Sequence, residues 1–141
     1  MEFAVRQPFP LLDVMPPVLD DVVLNFVWDR ERLWSLDLPE TWVPMAELGW
    51  HLRLPMWAFR GRPFVLTPEQ VAQSPRAFSE QYARTFAADI SFPLHVLERP
   101  NRLTVLDGMH RLLQARLKGC AGVVVKKLPI GRLDEIACSG P

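Results

Sequence analysis

The chain has 141 residues, of which 49% are hydrophobic and 23% are charged, and its formal net charge is zero. These values are ordinary for a globular protein with one core, and they exclude a disordered or low-complexity chain. No apolar run is long enough to span a membrane, the N-terminus lacks the pattern of a signal peptide, and Cys120 and Cys138 form no C-x-x-C motif. We therefore expect a reduced, cytoplasmic protein without a zinc site.

The zero net charge hides an uneven distribution along the chain. Residues 1–50 carry nine acidic side chains against three basic ones, whereas residues 99–132 carry eight basic side chains and one acid, Asp107. Two explanations are open: the two ends of the chain lie against each other, or the basic segment meets an anion.

In chain order, the first predicted element is a short helix that has Asp29 as its N-cap and ends before Pro39. Residues 41–48 (TWVPMAEL) predict a short edge strand, because Pro44 has no N–H to donate to a neighbouring strand. Residues 49–64 are interpreted as a loop with aromatic anchors.

Two helices are predicted next. Thr67 is the expected N-cap of the first helix, with a proline at the first helical position. Residues 76–90 predict an amphipathic helix, since Phe78, Tyr82 and Phe86 recur every four residues on one face.

The second half of the chain predicts a hairpin, a helix and a strand. Residues 92–99 and 103–106 are expected to pair as a hairpin, in which His95 faces solvent or pairs across the two strands. Residues 109–118 predict a helix with a C-cap glycine, and residues 122–129 predict a buried strand from their β-branched run.

The first half of the chain is rich in tryptophan. Such a cluster is expected to belong to a core or to cover one, because too few basic residues lie between the indoles for a base-stacking surface. A surface for a protein partner or a homodimer is the alternative. The five residues are Trp28, Trp34, Trp42, Trp50 and Trp57.

The junction between the last predicted hairpin and its helix carries the residues with the clearest chemistry. Asp107 and Gly108 end the strand, and His110 and Arg111 fall in the first helical turn. The N-terminus of a helix offers unpaired N–H groups and a partial positive charge, which suit phosphate. Arginine adds a planar fork and histidine a proton donor, while the aspartate can orient them, cap the helix, hold Mg²⁺ or accept a proton. The simpler alternative is an aspartate N-cap, a turn glycine and two surface cations.

This junction and its surroundings resemble the ParB/sulfiredoxin superfamily. The resemblance rests on TVLDGMHRLLQARLKG, the preceding ADISFPLHVLE and the following VVVKKLP, and it extends over about residues 42–130. It implies an α/β (α+β) fold with a small mixed sheet and helices: a nucleotide-binding domain over residues 42–141, with residues 1–41 as an N-terminal extension packed on it.

The same resemblance implies roles for single residues. In the superfamily a G-x-[HR]-R turn holds nucleotide phosphates, which assigns phosphate binding to Gly108, Met109, His110 and Arg111. Lys126, at the end of the last strand, is a further candidate for the same anion site.

The positions where the sequence departs from the family pattern reduce the number of activities that the resemblance implies. Met109 stands where sulfiredoxins carry a reactive cysteine, and no helix-turn-helix region follows, as it does in ParB proteins that bind CTP. The turn is most similar to the D-G-H-H-R of free serine kinases. That similarity implies Asp107 and His110 as catalytic residues, with Glu47 as the acid after the first strand.

Three functions are therefore considered. The first is a nucleotide-dependent phosphotransferase or phosphohydrolase, such as an ATP- or ADP-dependent kinase of a small hydroxyl compound, with Mg²⁺ bridging the phosphates. The second is a non-catalytic module in which ATP, ADP or CTP gates a protein interaction. The third is nucleic-acid binding or nuclease activity through residues 99–132, which the zero net charge makes the least favoured.

Overall fold

Two β-sheets, a set of short helices and two apolar cores make up the computed structural model, which describes residues 5–140. Within that range the α-helices are α1 Arg30–Ser35, α2 Met45–Leu48, α3 Pro68–Gln73, α4 Ser79–Ala87 and α5 Met109–Leu117. The strands are β1 Glu40–Pro44, β2 Trp57–Phe59, β3 Arg62–Leu66, β4 Leu94–Glu98, β5 Leu103–Asp107 and β6 Gly122–Pro129. Short 3-10 helices cover Leu12–Val14, Pro17–Leu19, Gly49–Arg53 and Ile130–Glu135.

The main sheet is mixed and has the strand order β1-β6-β4-β5. β6 runs antiparallel to β1 and parallel to β4, and β4 and β5 form an antiparallel hairpin. The β-branched run from Val123 to Val125 lies in β6, an interior strand, as its composition favours. The predicted small mixed α/β fold is confirmed, whereas the ParB/sulfiredoxin relationship stays a prediction.

The first core lies between the main sheet and the helices α2, α3 and α5. Leu112 and Leu113 of α5 are fully or almost fully buried there, together with Val96 and Val105 of the β4–β5 hairpin. Burying a leucine side chain of this kind stabilises the fold by about 2 kcal/mol. This packing fixes α5, and therefore its first turn, against the end of β5.

The second core joins the N-terminal extension to the sheet and to the C-terminal segment. Leu33 of α1 is fully buried, as are Leu97 of β4 and Leu128 of β6, and Phe26 and Ile136 belong to the same cluster. Apolar burial therefore holds residues 24–38 on the sheet, and it brings α1 close to the β5–α5 junction.

Ion pairs between the acidic N-terminal part and the basic C-terminal part of the chain do not neutralise the uneven charge distribution. Within residues 5–140, no ion pair joins an acidic side chain of the first 50 residues to a basic one of residues 99–132. The pairs that cross between the ends have the opposite sense: Arg6 with Asp134, and Arg30 with Asp107. The two ends do meet, through apolar contacts and through backbone hydrogen bonds such as the one from the Cys138 N–H to the Val27 carbonyl.

Two sequence predictions about the first half are wrong. The strand expected over residues 41–48 ends at Pro44, and the helix α2 begins at Met45. The expected loop over residues 49–64 holds a 3-10 helix, β2 and the start of β3, which pair as a hairpin around Gly61 at a φ of +76°. Both errors come from short elements whose apolar residues lack a clear period.

The other element predictions agree better with the structure. The side chain of Asp29 accepts from the Arg32 N–H at the start of α1, and Thr67 forms a capping box with Gln70 at the start of α3. The helix expected over residues 76–90 is shorter in the structure, where α4 covers Ser79–Ala87. Among residues 5–140, no helix combines the length and apolar character needed to cross a bilayer.

Candidate functional site

The β5–α5 junction turns sharply at Gly108. Its φ of +115° lies in the region that favours glycine, and an added Cβ would approach Cγ of Leu94 to 2.8 Å. No side chain in the described part of the chain caps α5, and the first hydrogen bond of the helix runs from the Leu112 N–H to the Gly108 carbonyl at 2.9 Å. The N–H groups of residues 109–111 therefore have no partner within the helix, and the positive end of its dipole lies among them.

Asp107 is held by three side chains from two helices. Its Oδ2 accepts hydrogen bonds from Trp34 Nε1 at 2.9 Å and from Arg111 Nη2 at 3.1 Å. Its Oδ1 lies 3.8 Å from Nε of Arg30. Asp107 is thus no N-cap of α5. It orients Arg111, which is one of the roles expected from the sequence, and Oδ1 keeps free lone pairs.

Arg111 links the junction to the start of β4. Besides its bond to Asp107, it donates from Nη1 to the Pro93 carbonyl at 2.7 Å, and only 16% of its side chain is exposed. Both terminal nitrogens of the guanidinium are therefore engaged inside the protein. In this arrangement Arg111 positions its neighbours and does not present the open fork that the sequence led us to expect.

His110 is packed flat against an indole. Its ring stacks on Trp57 with centroids 4.5 Å apart and an interplanar angle of 14°, and its Nε2 donates to Gln81 Oε1 at 2.8 Å. Burial and then the nearby Arg84 lower the pKa of His110 below its usual value. The imidazole is therefore neutral near pH 7, and Nδ1 carries its lone pair.

An open cleft of about 670 Å³, the α5 cleft, lies in front of the first turn of this helix. Residues 107–111, Trp57, Arg30 and Arg84 contribute to its lining. The side chain of Met109 packs on the first core. Met109 can therefore contact a ligand through its backbone. Arg30 comes from α1 and Arg84 from α4, and no local motif in the sequence marked either of them as part of the site.

A second cavity, the Trp34 pocket, has a volume of about 380 Å³ and shares Arg111 with the α5 cleft. It is lined by Trp34, Phe92, Pro93, His95, Arg111 and Lys126. Lys126 lies in this pocket and does not line the α5 cleft, where the sequence placed it.

Of the two alternatives predicted for His95, the second is confirmed. His95 is the register partner of Asp107 across the hairpin and of Lys126 on β6, and it does not face solvent, since only 6% of it is exposed. Neither ring nitrogen has a hydrogen-bond partner among the described residues. Burial, the largest influence, lowers the pKa of His95, so the ring is neutral near pH 7.

Glu47 lies apart from the β5–α5 junction. It is part of α2 and lines a separate groove of about 520 Å³ together with Glu98, Arg102 and Lys127. The structure therefore does not bring this candidate catalytic acid together with Asp107.

His51 is a buried histidine with a structural role. Its Nδ1 donates to the Leu48 carbonyl at 2.8 Å, and its Nε2 accepts from the Val105 N–H at 3.0 Å. Burial lowers its pKa to about 4, which keeps the ring neutral and preserves both bonds.

No three His, Cys, Asp or Glu side chains in residues 5–140 are grouped closely enough to hold a metal ion. At the α5 cleft the protein offers one carboxylate oxygen, Oδ1 of Asp107. A Mg²⁺ ion can be held by one carboxylate together with the phosphates of a ligand, so this donor set suits an ion that arrives with a nucleotide.

No family model matches the chain, and no match was found among the curated proteins or the solved structures. The resemblance to the ParB/sulfiredoxin superfamily therefore stays a hypothesis based on residues 42–130.

Proposed function

We propose that the domain binds the phosphate groups of a nucleotide in the α5 cleft. The observation that carries this proposal is the uncapped first turn of α5, whose N–H groups stand beside arginines from two other helices. Phosphate oxygens accept from such N–H groups and are stabilised by the dipole of the helix. The glycine at position 108 allows the backbone to approach the ligand closely.

The charges of the cleft favour an anion. Three arginines contribute to its lining, and the one carboxylate there, Asp107, is already paired with Arg111. The side chains of Arg30 and Arg84 are 63% and 58% exposed, so they can move to meet a ligand. In this proposal Arg30 and Arg84 neutralise the phosphates, while Arg111 holds Asp107 and the start of β4 in place.

A ligand screen provides the first test. We expect at least one of ATP, ADP, CTP, GTP and pyrophosphate, with or without Mg²⁺, to raise the melting temperature, because a ligand that binds only the folded state stabilises it by mass action. No shift with any of the five compounds at millimolar concentration would contradict the proposal.

A pair of double variants locates the site. Arg30→Gln with Arg84→Gln removes two cleft charges, and we expect affinity for the active compound to fall by about tenfold or more. Arg53→Gln with Arg62→Gln is the matched control, because it removes two exposed arginines that do not line the cleft. Calorimetric titration measures both; equal losses in the two proteins would show non-specific charge attraction. Arg111 is unsuitable for this purpose, because its loss also frees the carbonyl of Pro93.

Phosphoryl transfer is the second candidate function, and one observation favours it. Asp107 lines the cleft, and its Oδ1 accepts no hydrogen bond from the described residues, so it can accept a proton from an attacking hydroxyl or hold Mg²⁺ beside the phosphates. If the bound nucleotide is recovered intact after long incubation with Mg²⁺ and small hydroxyl compounds, the nucleotide acts instead as the gate of an interaction module.

A further inference from the structure

The Trp34 pocket contains an unusual buried group. Only 6% of His95 is exposed, and neither of its ring nitrogens has a hydrogen-bond partner among the described residues. Leaving a buried polar group without a hydrogen bond is unfavourable, so such groups in folded proteins normally meet a protein, water or ligand partner. The ring of His95 lines the pocket, although its two nitrogens have almost no exposed surface.

The charges that line the pocket are positive. Lys126 and Arg111 belong to its wall, and no carboxylate does. Within residues 5–140, Lys126 makes no ion pair, although Glu40 is its register partner on β1. Arg111 is already paired with Asp107, so the ammonium group of Lys126 is the cation available to a ligand.

The remaining wall is flat and apolar. The side chains of Trp34 and Phe92 are 52% and 62% exposed although they are large and hydrophobic, and Pro93 lies beside them. Aromatic faces of this kind stack on planar ligands. The indole of Trp34 is fixed by its hydrogen bond to Asp107, so its orientation does not depend on the ligand.

We propose that the Trp34 pocket binds a small planar organic anion, an aromatic or heteroaromatic carboxylate, which lies against Trp34 and Phe92, pairs with Lys126 and contacts the ring of His95. The volume of about 380 Å³ is in the range of small-molecule sites. The N-terminal extension supplies one wall through Trp34, and the main sheet supplies the polar groups. This proposal does not rest on nucleotide binding in the α5 cleft.

The test uses the full chain and benzoate, nicotinate and indole-3-carboxylate as probes. Calorimetric titration and NMR spectra of the indole N–H and histidine ring resonances report binding and its position. We expect at least one probe to bind and to shift the signals of Trp34 and His95. Benzamide and cyclohexanecarboxylate are the controls for charge and planarity, and both should bind more weakly.

Two adjacent lysines of β6 give a matched pair of variants. Lys126 lines the Trp34 pocket, whereas Lys127 lines the separate groove that contains Glu47. Loss of one charge-assisted hydrogen bond predicts that Lys126→Met weakens probe binding by about tenfold, while Lys127→Met leaves it unchanged.

Three outcomes would overturn the proposal: no probe shifts the two signals at millimolar concentration, benzamide binds as tightly as benzoate, or the two lysine variants behave alike. Each of these results leaves the effect of Arg30 and Arg84 on nucleotide binding to be measured separately, so the two proposals fail independently.

Discussion

His51 and His95 are both almost completely buried, yet their surroundings differ in kind. His51 lies beside β5, an edge strand, and bonds one backbone N–H of that strand and one carbonyl at the end of α2. His95 belongs to β4, an interior strand whose backbone is paired with β5 on one side and β6 on the other. An edge strand and a helix end leave backbone groups free for a side chain, whereas an interior strand leaves none.

The difference separates a structural histidine from a candidate binding group. The ring of His51 satisfies two backbone groups that would otherwise be buried without partners. The ring of His95 bonds to none of the residues that the structure describes, and it lines a cavity. The buried fraction of a histidine therefore does not indicate its role. The hydrogen bonds that its ring makes to neighbouring groups do indicate it.

The largest expected effect comes from removing the ring of His51. His51→Phe leaves the Val105 N–H and the Leu48 carbonyl without partners, and we expect the free energy of unfolding to fall by about 4 kcal/mol. Urea denaturation measures this. A loss below about 1 kcal/mol would mean that water reaches both groups and that the two histidines are alike.

Acid should weaken the fold through the same residue. Unfolded histidine binds a proton near pH 6.5, whereas folded His51 binds one near pH 4, so between these values the unfolded state holds more protons. Stability is therefore complete above about pH 6.5 and falls as the pH decreases, by about 3 kcal/mol at pH 4 from His51 alone.

The control for the acid experiment is His51→Gln, which keeps a donor and an acceptor but does not titrate in this range. Urea unfolding of both proteins at several pH values isolates the contribution of the ring from that of the carboxylates. Parallel curves for the two proteins would contradict the lowered pKa of His51.

The smallest expected effect is the same substitution at the other site. His95→Phe removes no hydrogen bond to any residue from 5 to 140, so we expect the free energy of unfolding to change by less than about 1 kcal/mol. A loss as large as that of His51→Phe, again by urea denaturation, would show that the ring has a structural partner and would weaken the comparison.

The elements around the site could be predicted because their signals are local. Thr67 and Asp29 are capping residues at the positions where helices begin, and the strand–glycine–helix junction at Gly108 lies where the sequence placed it. The hairpin of β2 and β3 was missed, since its strands are short and apolar residues recur in them without a clear period.

The surroundings of the site could not be predicted, because they depend on residues far apart in the chain. Trp34 reaches Asp107 across 73 positions, and Arg84 reaches the same cleft from α4. For Glu47 the error was the opposite one. The sequence predicted a catalytic acid at this position after the first strand, but Glu47 lines a different groove.

The sequence by itself determined the helix that begins after Gly108, the hairpin before it and the chemical types available at their junction, since capping, glycine conformation and side-chain period act over a few residues. Only the tertiary structure decided that Arg111 bonds to groups inside the protein, that His95 is buried without a partner among the described residues and that α1 forms a wall of both cavities. The physical reason is that hydrogen-bond partners and burial are set by packing between elements that are distant along the chain.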